Sequence, residues 1–592
     1  MPDLALTANA RRVLEARYLR RDRERKVCET PEALFERVAR AVAQAELLLG
    51  NARQAARWEN EFLALLTSLE FLPNSPTLMN AGTALGQLSA CFVLPVADSM
   101  ESIFEAVKQM ALVQRTGGGT GFSFSNLRPA GDLVASTGGA ASGPVSFMRI
   151  FDCATEYIKQ GGRRRGANMG ILRVDHPDIF EFIRAKADGG LRNFNLSVAV
   201  TDAFMSAMEK DDRYPLHHPG TGQTVSLASA RATFEAIVAA AWQTGDPGVI
   251  FVDAVNRDNP TPDLGRLEAT NPCGELPLLP HEACTLGSIN LAHMVTPGKP
   301  YGTVDWARLG RITRVAVRFL DDVVEINRHP LPEIERVSRG NRKIGLGVMG
   351  FADMLVRLGI SYASEAAIQT ADAVMAFIGR EARQASEELA AERGPFPNWC
   401  ASVLARSGAP VRNATRTAIA PTGTIGILAG SSAGIEPLFA LAYRRRHSLG
   451  GEELREINPI LRAVALEHGL DPERVLAEVI ETGTLERVSG LPAEVRSLLV
   501  TALEIPPEQH LRIQAAFQHH VDNAVSKTVN LPRDASVETV AGIYRRAWHL
   551  GLKGVTVYRY ASNAAQVLEL GAGDEAFHYD HTAKCDPLEC RI

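Results

Sequence analysis

Residues 269–291 read ATNPCGELPLLPHEACTLGSINL. Pro272, Gly274, Pro277 and Pro280 interrupt any helical or continuous strand pattern, so the first part is a loop. Asn271, Cys273 and Glu275 alternate, and in an extended loop alternate residues point to one side. That reading gathers an amide, a thiol and a carboxylate about one small volume. A carboxylate beside a thiol raises the thiol pKa and opposes thiolate formation. A Cys–His type of nucleophile is therefore a poor fit. A thiol kept protonated suits hydrogen-atom chemistry, in which S–H gives up H• rather than H⁺.

The chain has eight cysteines in 592 residues. That is too sparse for a disulfide scaffold and fits a reducing compartment. Cys284 lies in the second half of the quoted stretch. Cys91 opens an apolar run in QLSACFVLPV, where a strand-borne thiol can meet a distant one; spacing alone leaves its partner open. Cys28, Cys153 and Cys400 have no partner spacing and are expected to be small buried apolar residues. Cys585 and Cys590 stand close together at the end of the chain. Three readings are open for them: an untidy terminus, a metal site completed by His578 and His581, or a dithiol that carries electrons.

Composition excludes several classes. Apolar residues make up 46% and charged residues 22%, which is ordinary for a globular chain. The net charge of −5 gives no basic excess for nucleic acid or a membrane surface. No apolar stretch is long enough to span a bilayer, and the first residues lack a signal-peptide pattern. A cytoplasmic setting is the expectation.

Residues 1–70 read as a helical region, with apolar residues at three- and four-residue spacing in 32–49 and 55–69. FLPNSPTLMNAG then marks a break. From 71 to 565, short apolar runs alternate with amphipathic helical stretches. The runs are 91–96, 194–200, 248–255 and 554–560; the helices are 100–114, 145–159, 230–243, 305–327 and 366–393. Such alternation argues an α/β architecture with a partly parallel sheet. Positions 474–510 read as a helical insertion, and 566–592 as a mobile polar tail.

Seven motifs, in order, resemble the catalytic subunit of a ribonucleotide reductase. They are SPTLMNAG (75–82), SACFVLP (89–95), RTGGGTGFSFSNLRP (115–129), STGGAASGPVSFMRIFD (136–152), QGGRRRGANMGIL (160–172), the NPCGE loop, and APTGTIGIL (420–428). The resemblance implies a ten-stranded α/β barrel made of two antiparallel halves of five parallel strands, with a central finger loop. It matches Cys273 to the thiyl-radical cysteine, and Asn271 and Glu275 to the flanking amide and general base. It pairs Cys91 with Cys284 as the dithiol oxidised in turnover, and makes Cys585 and Cys590 a shuttle dithiol reduced by a thioredoxin-like protein. That favours the shuttle over zinc at the tail, and no metal site is expected.

The same resemblance places the substrate, a ribonucleoside di- or triphosphate, against Ser75, Ala90, Gly119 and the turn Pro421-Thr422-Gly423-Thr424-Ile425. Hydroxyls, backbone amides and a permissive glycine at a helix start suit phosphate. Gly117 to Gly121 is not a Walker loop, because no GK[ST] follows. A deoxynucleoside triphosphate or ATP effector is implied at a homodimer interface of paired helices. There Asp98 either caps a helix or meets the effector. Residues 133–142 match a first specificity loop; Gly161 to Asn168, with Arg163, Arg164, Arg165 and Gly166, match a second.

The radical source is read from KGVTVYRYASN (553–563). Oxygen-dependent relatives relay through adjacent tyrosines, but Arg559 separates Tyr558 from Tyr560. The pattern resembles the adenosylcobalamin-dependent class, whose cofactor releases a deoxyadenosyl radical near the reactive cysteine. No glycyl-radical motif closes the chain, and no DxHxxG pattern points to a histidine ligand for cobalt. The helical front is too short to hold an additional ATP-binding regulatory domain as well, so specificity control without an on/off switch is expected. The alternatives are an oxygen-dependent large subunit needing a radical-generating partner, and an inactive nucleotide-binding regulator.

Overall fold

The runs that flank the glycine-rich motifs become the wall of a barrel. The computed structural model describes residues 4–560 except 51, 135–137, 161–163, 407, 439–440, 449–451, 458, 468, 483–484, 486–487 and 489, together with Ser562, Leu568–Leu570 and Phe577–His578. Cys585, Cys590 and Arg163 lie outside the described residues.

In chain order the strands are β1 (Phe71–Pro73), β2 (Cys91–Val93), β3 (Gly119–Ser123), β4 (Asn168–Arg173), β5 (Phe194–Val200) and β6 (Gly248–Phe251). Then come β7 (Ala269–Thr270), β8 (Pro277–Leu278), β9 (Glu282–Asn290), β10 (Ile344–Met349), β11 (Thr528–Leu531) and β12 (Gly554–Arg559). Strands β2 to β6 run parallel in sequence order. The other half is also parallel: β9 pairs with β10, and β11 with β12. Between β10 and β11 the chain at 415–419 supplies the missing strand, through the parallel bridges Leu346–Thr417 and Ile419–Val525. Two antiparallel seams join the halves. One is β6 against β12, with Val249 opposite Val555. The other is β9 against β2, with Cys284 opposite Cys91. Ten strands in two opposed halves of five therefore close on themselves. β1 adds antiparallel to β9 outside this ring.

Parallel strands covered by helices are buried on both faces, so they read as continuous apolar or small residues rather than as alternation. β6, β9 and β10 are buried at every position. Helices cross back over the wall between successive strands, as Met100–Gln114 and Gly143–Tyr157 do on either side of β3. The helix starts follow local chemistry. Thr30 caps Pro31–Val42 with Pro31 in the first turn, and Ser364 caps the long helix Glu365–Arg393.

One apolar core joins the helical front to the second half-barrel; another lies under the helices of the first half. A third lines the barrel interior and includes Cys91, Cys284, Leu276 and Leu278. Helices Pro472–Thr482 and Ala493–Leu498 turn Val475, Val479 and Val495 into the first of these cores. Among the described residues no helix is long and apolar enough to cross a membrane.

The hairpin β7–β8 stands inside the barrel, and the wall makes room for it at Gly121. A Cβ there would lie 1.7 Å from the carbonyl oxygen of Thr270. Gly121→Ala is therefore expected to destabilise the protein by about 1–3 kcal/mol through overpacking. Gly542 sits in the helix Val537–His549, and a Cβ there would meet nothing within 4 Å. Gly542→Ala should stabilise by about 1 kcal/mol. Parallel urea unfolding of the two variants checks the contrast; an unaltered Gly121→Ala midpoint would contradict the close approach.

Candidate active site

The NPCGE stretch is a turn, not the extended loop that alternation implied. Its ends are the two-residue strands β7 and β8, paired antiparallel. Gly274 has φ +83°, which suits glycine, and its N–H donates to the carbonyl of Asn271 at 3.1 Å. The Asn271 carboxamide oxygen accepts from Leu276 N–H at 3.0 Å. Two buttresses hold the tip. Asn195 on β5 donates from Nδ2 to the Pro272 carbonyl at 2.8 Å, and Ala524 N–H donates to the Glu275 carbonyl at 2.9 Å. The turn, not an extended strand, sets these residues, and it brings the Asn271 side chain within hydrogen-bonding reach of the Glu275 carboxyl.

Asn271 is the hub. Its Nδ2 donates to Cys91 Sγ at 3.2 Å. Cys91 faces Cys284 across the β2–β9 seam. Directly opposed antiparallel residues have Cα atoms about 4.5–5.5 Å apart, within the range a disulfide bridges. Both thiols are buried, while Cys273 at the turn is partly exposed. Burial pushes the Cys284 thiol far up, and the carboxylates of Glu282 and Glu275 push the same way. A protonated Cys284 is therefore the resting state here.

Glu275 is 2% exposed, and its Oε2 has no hydrogen-bond partner. Burial pushes its carboxyl up to about 7, against a smaller downward pull from Asn271. An acceptor without a donor, buried beside a partly exposed thiol, is poised for a proton that the protein itself does not supply.

The segments assigned to phosphate lie at helix starts. Thr422 takes φ +56° and its hydroxyl accepts from Gly434 N–H at 2.7 Å, opening the helix Gly423–Ala429 that contains Thr424 and Ile425 and follows Pro421. Ser75 begins the helix Ser75–Asn80, which Asn74 caps. The Ser75 hydroxyl is hydrogen-bonded to that of Tyr18 at 2.7 Å. Tyr18 comes from the helical front, and no spacing in the sequence pointed to it. Gly119 N–H donates to the Ala90 carbonyl at 2.8 Å, so these two residues are one structural unit.

At Asp98, read as a helix cap or an effector contact, the structure excludes the cap. Ser99, not Asp98, caps the helix Met100–Gln114. Asp98 instead accepts from Arg128, at 2.8 Å from Nε and 3.2 Å from the backbone N–H. Arg164 and Arg165 form a two-residue strand against Lys159 and Gln160. Gly166 lies against the Gln114 carboxamide, which belongs to a buried cluster with Thr120, Thr155 and Asn168.

The expectation for three cysteines is overturned. Cys28, Cys153 and Cys400 are exposed. Cys153 stands one helical turn before Tyr157, itself 81% exposed, on the outer side of Gly143–Tyr157. Cys400 lies in a short turn at Trp399–Ala401, and Cys28 in the link that follows the first helix. A lone thiol is small enough to be tolerated outside.

Residues 89–558 match the family model for the ribonucleotide reductase barrel domain, and residues 4–86 that for the ribonucleotide reductase all-alpha domain. The chain is 52% identical over 574 residues to the vitamin B12-dependent ribonucleoside-diphosphate reductase of Mycobacterium tuberculosis, covering 96% of this chain and 82% of that one. It is 48% identical to the protein of the same name from Thermoplasma acidophilum, covering 97% and 81%. In fold it resembles the alpha subunit of the Actinobacillus ureae class Id ribonucleotide reductase, with a TM-score of 0.76, 23% identity, and 95% and 98% of the two chains covered. With both domain families matched end to end around a barrel that holds the thiol-bearing hairpin, this chain belongs to the ribonucleotide reductase family.

Proposed function

We propose that the chain reduces ribonucleoside diphosphates to 2′-deoxyribonucleotides with adenosylcobalamin as radical source. The observation that carries the reading is the cluster in which Asn271 touches Cys91, Cys91 faces Cys284, and Glu275, two residues after Cys273, keeps one buried oxygen without a partner. The relatives named for vitamin B12 and for diphosphates, at about half identity, supply the cofactor and substrate class.

The residues present fit such a cofactor. Cys273 is partly exposed, and beside it nothing stands within 4 Å of where a Cβ on Gly274 would be, so a large group has access to the thiol. Cys273 and Gly274 would face it. When bound, adenosylcobalamin supplies the radical that takes the hydrogen atom from a thiol.

Cys273, as a thiyl, removes the 3′ hydrogen of the ribose. Glu275 accepts the 3′ hydroxyl proton at its unpaired Oε2, and Asn271 orients the sugar. Cys91 and Cys284 give one proton to the departing 2′ hydroxyl, which leaves as water, and the second proton with two electrons to C2′, ending as a disulfide; Cys273 returns the 3′ hydrogen and Glu275 the hydroxyl proton. The dithiol of Cys585 and Cys590 restores them by exchange, and a thioredoxin-like protein reduces the tail. Enclosure in the barrel keeps water from the radical. Thr422 to Ile425, Ser75, Ala90 and Gly119 hold the phosphates. A reducing cytoplasm is the compartment in which both dithiols can be recycled.

Specificity control belongs to the outer helices. Met100, Phe104 and Tyr157 expose 54%, 49% and 81% of their surfaces on Met100–Gln114 and Gly143–Tyr157. A homodimer formed through these helices covers them, with a deoxynucleoside triphosphate or ATP effector bound beside Asp98 and the loop of Arg163, Arg164, Arg165 and Gly166. Phe104→Asp should shift the chain toward monomer in sedimentation, and an unchanged dimer would place the interface elsewhere.

Anaerobic incubation with a ribonucleoside diphosphate, adenosylcobalamin and a dithiol should give deoxynucleotide with no second subunit. Product only on addition of a radical-generating subunit would overturn the cofactor assignment. Cys273→Ser should abolish product yet still bind effector in equilibrium dialysis.

Glu275→Gln should lower turnover by about 10²–10⁴, and in the parent the rate should rise with pH through about 7. Stability moves the other way. The folded carboxyl holds its proton up to about 7 while the unfolded one loses it near 4.5, so stability falls as pH rises between those values. Glu275→Gln lacks that loss. It should melt higher than the parent at pH 8, with the difference gone at pH 4.

A further inference from the structure

The helical front touches both elements assigned to the substrate's phosphates. Helix Ala8–Val13 packs against Gly423–Ala429, and the turn Leu14–Tyr18 that continues it packs against Ser75–Asn80. One short segment thus bridges the two. The turn is wider than an α-helical one: Leu19 N–H donates to the Leu14 carbonyl, five residues back, at 2.9 Å. Widened turns of this kind are frequent at functional sites. Here the turn ends on Tyr18, 1% exposed, whose hydroxyl lies 2.7 Å from that of Ser75.

Docking of the front does not need that hydroxyl. The Tyr18 ring belongs to the apolar core that joins the front to the second half-barrel. Toward the other end of the Ser75 helix, Arg37 donates to the carbonyls of Leu78 and Ala81, and Arg20 to that of Gly82. A ring without its hydroxyl would fill the same space. What the hydroxyl adds is a polar contact to Ser75. Among the described residues the Ser75 hydroxyl makes no other hydrogen bond.

A serine hydroxyl has one hydrogen and two lone pairs. To donate to a phosphate oxygen, Ser75 must meet Tyr18 as an acceptor, so Tyr18 is the donor. In that order the phenol polarises the serine O–H and strengthens its bond to the anion. In the reverse order the serine hydrogen is held by Tyr18, and lone pairs face the phosphate. None of the residues assigned to the phosphates, Ser75, Ala90, Gly119 and Pro421 to Ile425, carries a positive charge. A strengthened neutral donor therefore has weight there.

We propose that Tyr18 is a positioning residue for the substrate's phosphates: it holds the Ser75 hydroxyl with its hydrogen turned toward them. Recognition of a nucleoside diphosphate thereby draws on the helical front as well as on the barrel. This rests on the reading of Ser75 as a phosphate contact.

The test is equilibrium dialysis with cytidine 5′-diphosphate, on full-length protein carrying Cys273→Ser so that no turnover occurs. Tyr18→Phe keeps the ring and should weaken binding on the order of fivefold. Ser75→Ala should weaken it more. In Ser75→Ala protein the Tyr18→Phe change should have no further effect, because the hydroxyl it acts through is gone. With Cys273 intact, the loss from Tyr18→Phe should fall on KM rather than on kcat. A Tyr18 that only docks the front would lower affinity equally with and without the Ser75 hydroxyl, and that result would overturn the proposal. Parental affinity in Tyr18→Phe would overturn it too. Parental affinity in Ser75→Ala would instead refute the phosphate reading of Ser75, and this proposal with it.

Discussion

The antiparallel seam between β2 and β9 is the constraint on which the site depends. Each half-barrel is parallel and could in principle continue as an open sheet. Closure requires the first strand of one half to meet the first strand of the other with opposite direction. In that register Cys91 stands opposite Cys284. A shift by one residue would send every side chain of the strand to the other face, removing one thiol from the interior. The register is held from outside the site as well: Ala283 N–H donates to Ser338 Oγ at 2.9 Å, and β10 pairs with β9 over six residues. Barrel closure and dithiol placement are the same event.

The hairpin then uses what closure leaves. A ring of ten strands has room for backbone only where wall residues lack side chains, and Gly121 meets Thr270 there. Once inside, the turn residues lose water. That loss raises the Glu275 carboxyl to about 7, and burial on β9 likewise keeps the Cys284 thiol protonated. One physical cause, desolvation, serves both requirements of radical chemistry: hydrogen atoms on sulfur, and a carboxyl whose proton affinity lies near the working pH.

Much of this was legible in the sequence. The helices 100–114 and 366–393 fall within one residue of Met100–Gln114 and Glu365–Arg393, because their apolar period is strong and capping serines precede them. The run 194–200 is β5 as read. Other features needed three dimensions. The strand at 415–419 pairs through isolated bridges, and its sequence, Thr-Arg-Thr-Ala-Ile, has no apolar run to announce it. Asp98 and Ser99 are both good caps, and only the position of Arg128 shows which one is engaged elsewhere. Alternation of Asn271, Cys273 and Glu275 implied an extended loop, whereas the chain there is a turn with Gly274 at φ +83°, and it is Asn271 and Glu275 whose side chains meet. Tyr18 meets Ser75 across 57 residues of sequence, which no local pattern records.

The helical front is fixed to the barrel by charge as well as by apolar packing. Glu46 meets Arg318 and Arg393, each at 2.6 Å; Arg393 meets Asp322 at 2.7 Å, and Arg342 meets Asp321 at 3.0 Å. Arg318 also stacks over Trp58 of the front at 4.3 Å. Burial and the neighbouring carboxylates hold the Asp322 carboxyl well above its ordinary range, whereas at Glu46 burial is outweighed by the guanidiniums, which hold it below its own. A proton kept on Asp322 leaves Glu46, Asp321, Glu325 and Glu392 to balance Arg318, Arg342, Arg393 and Arg412. A balanced network adds little net stability for its desolvation cost, but it tolerates one arrangement and penalises shifted ones, because any displacement strands a buried charge. The front therefore docks in a single orientation. It carries Tyr18 to Ser75 in that orientation, so the placement of the Ser75 hydroxyl inherits its precision from an ion network built on other elements of the chain.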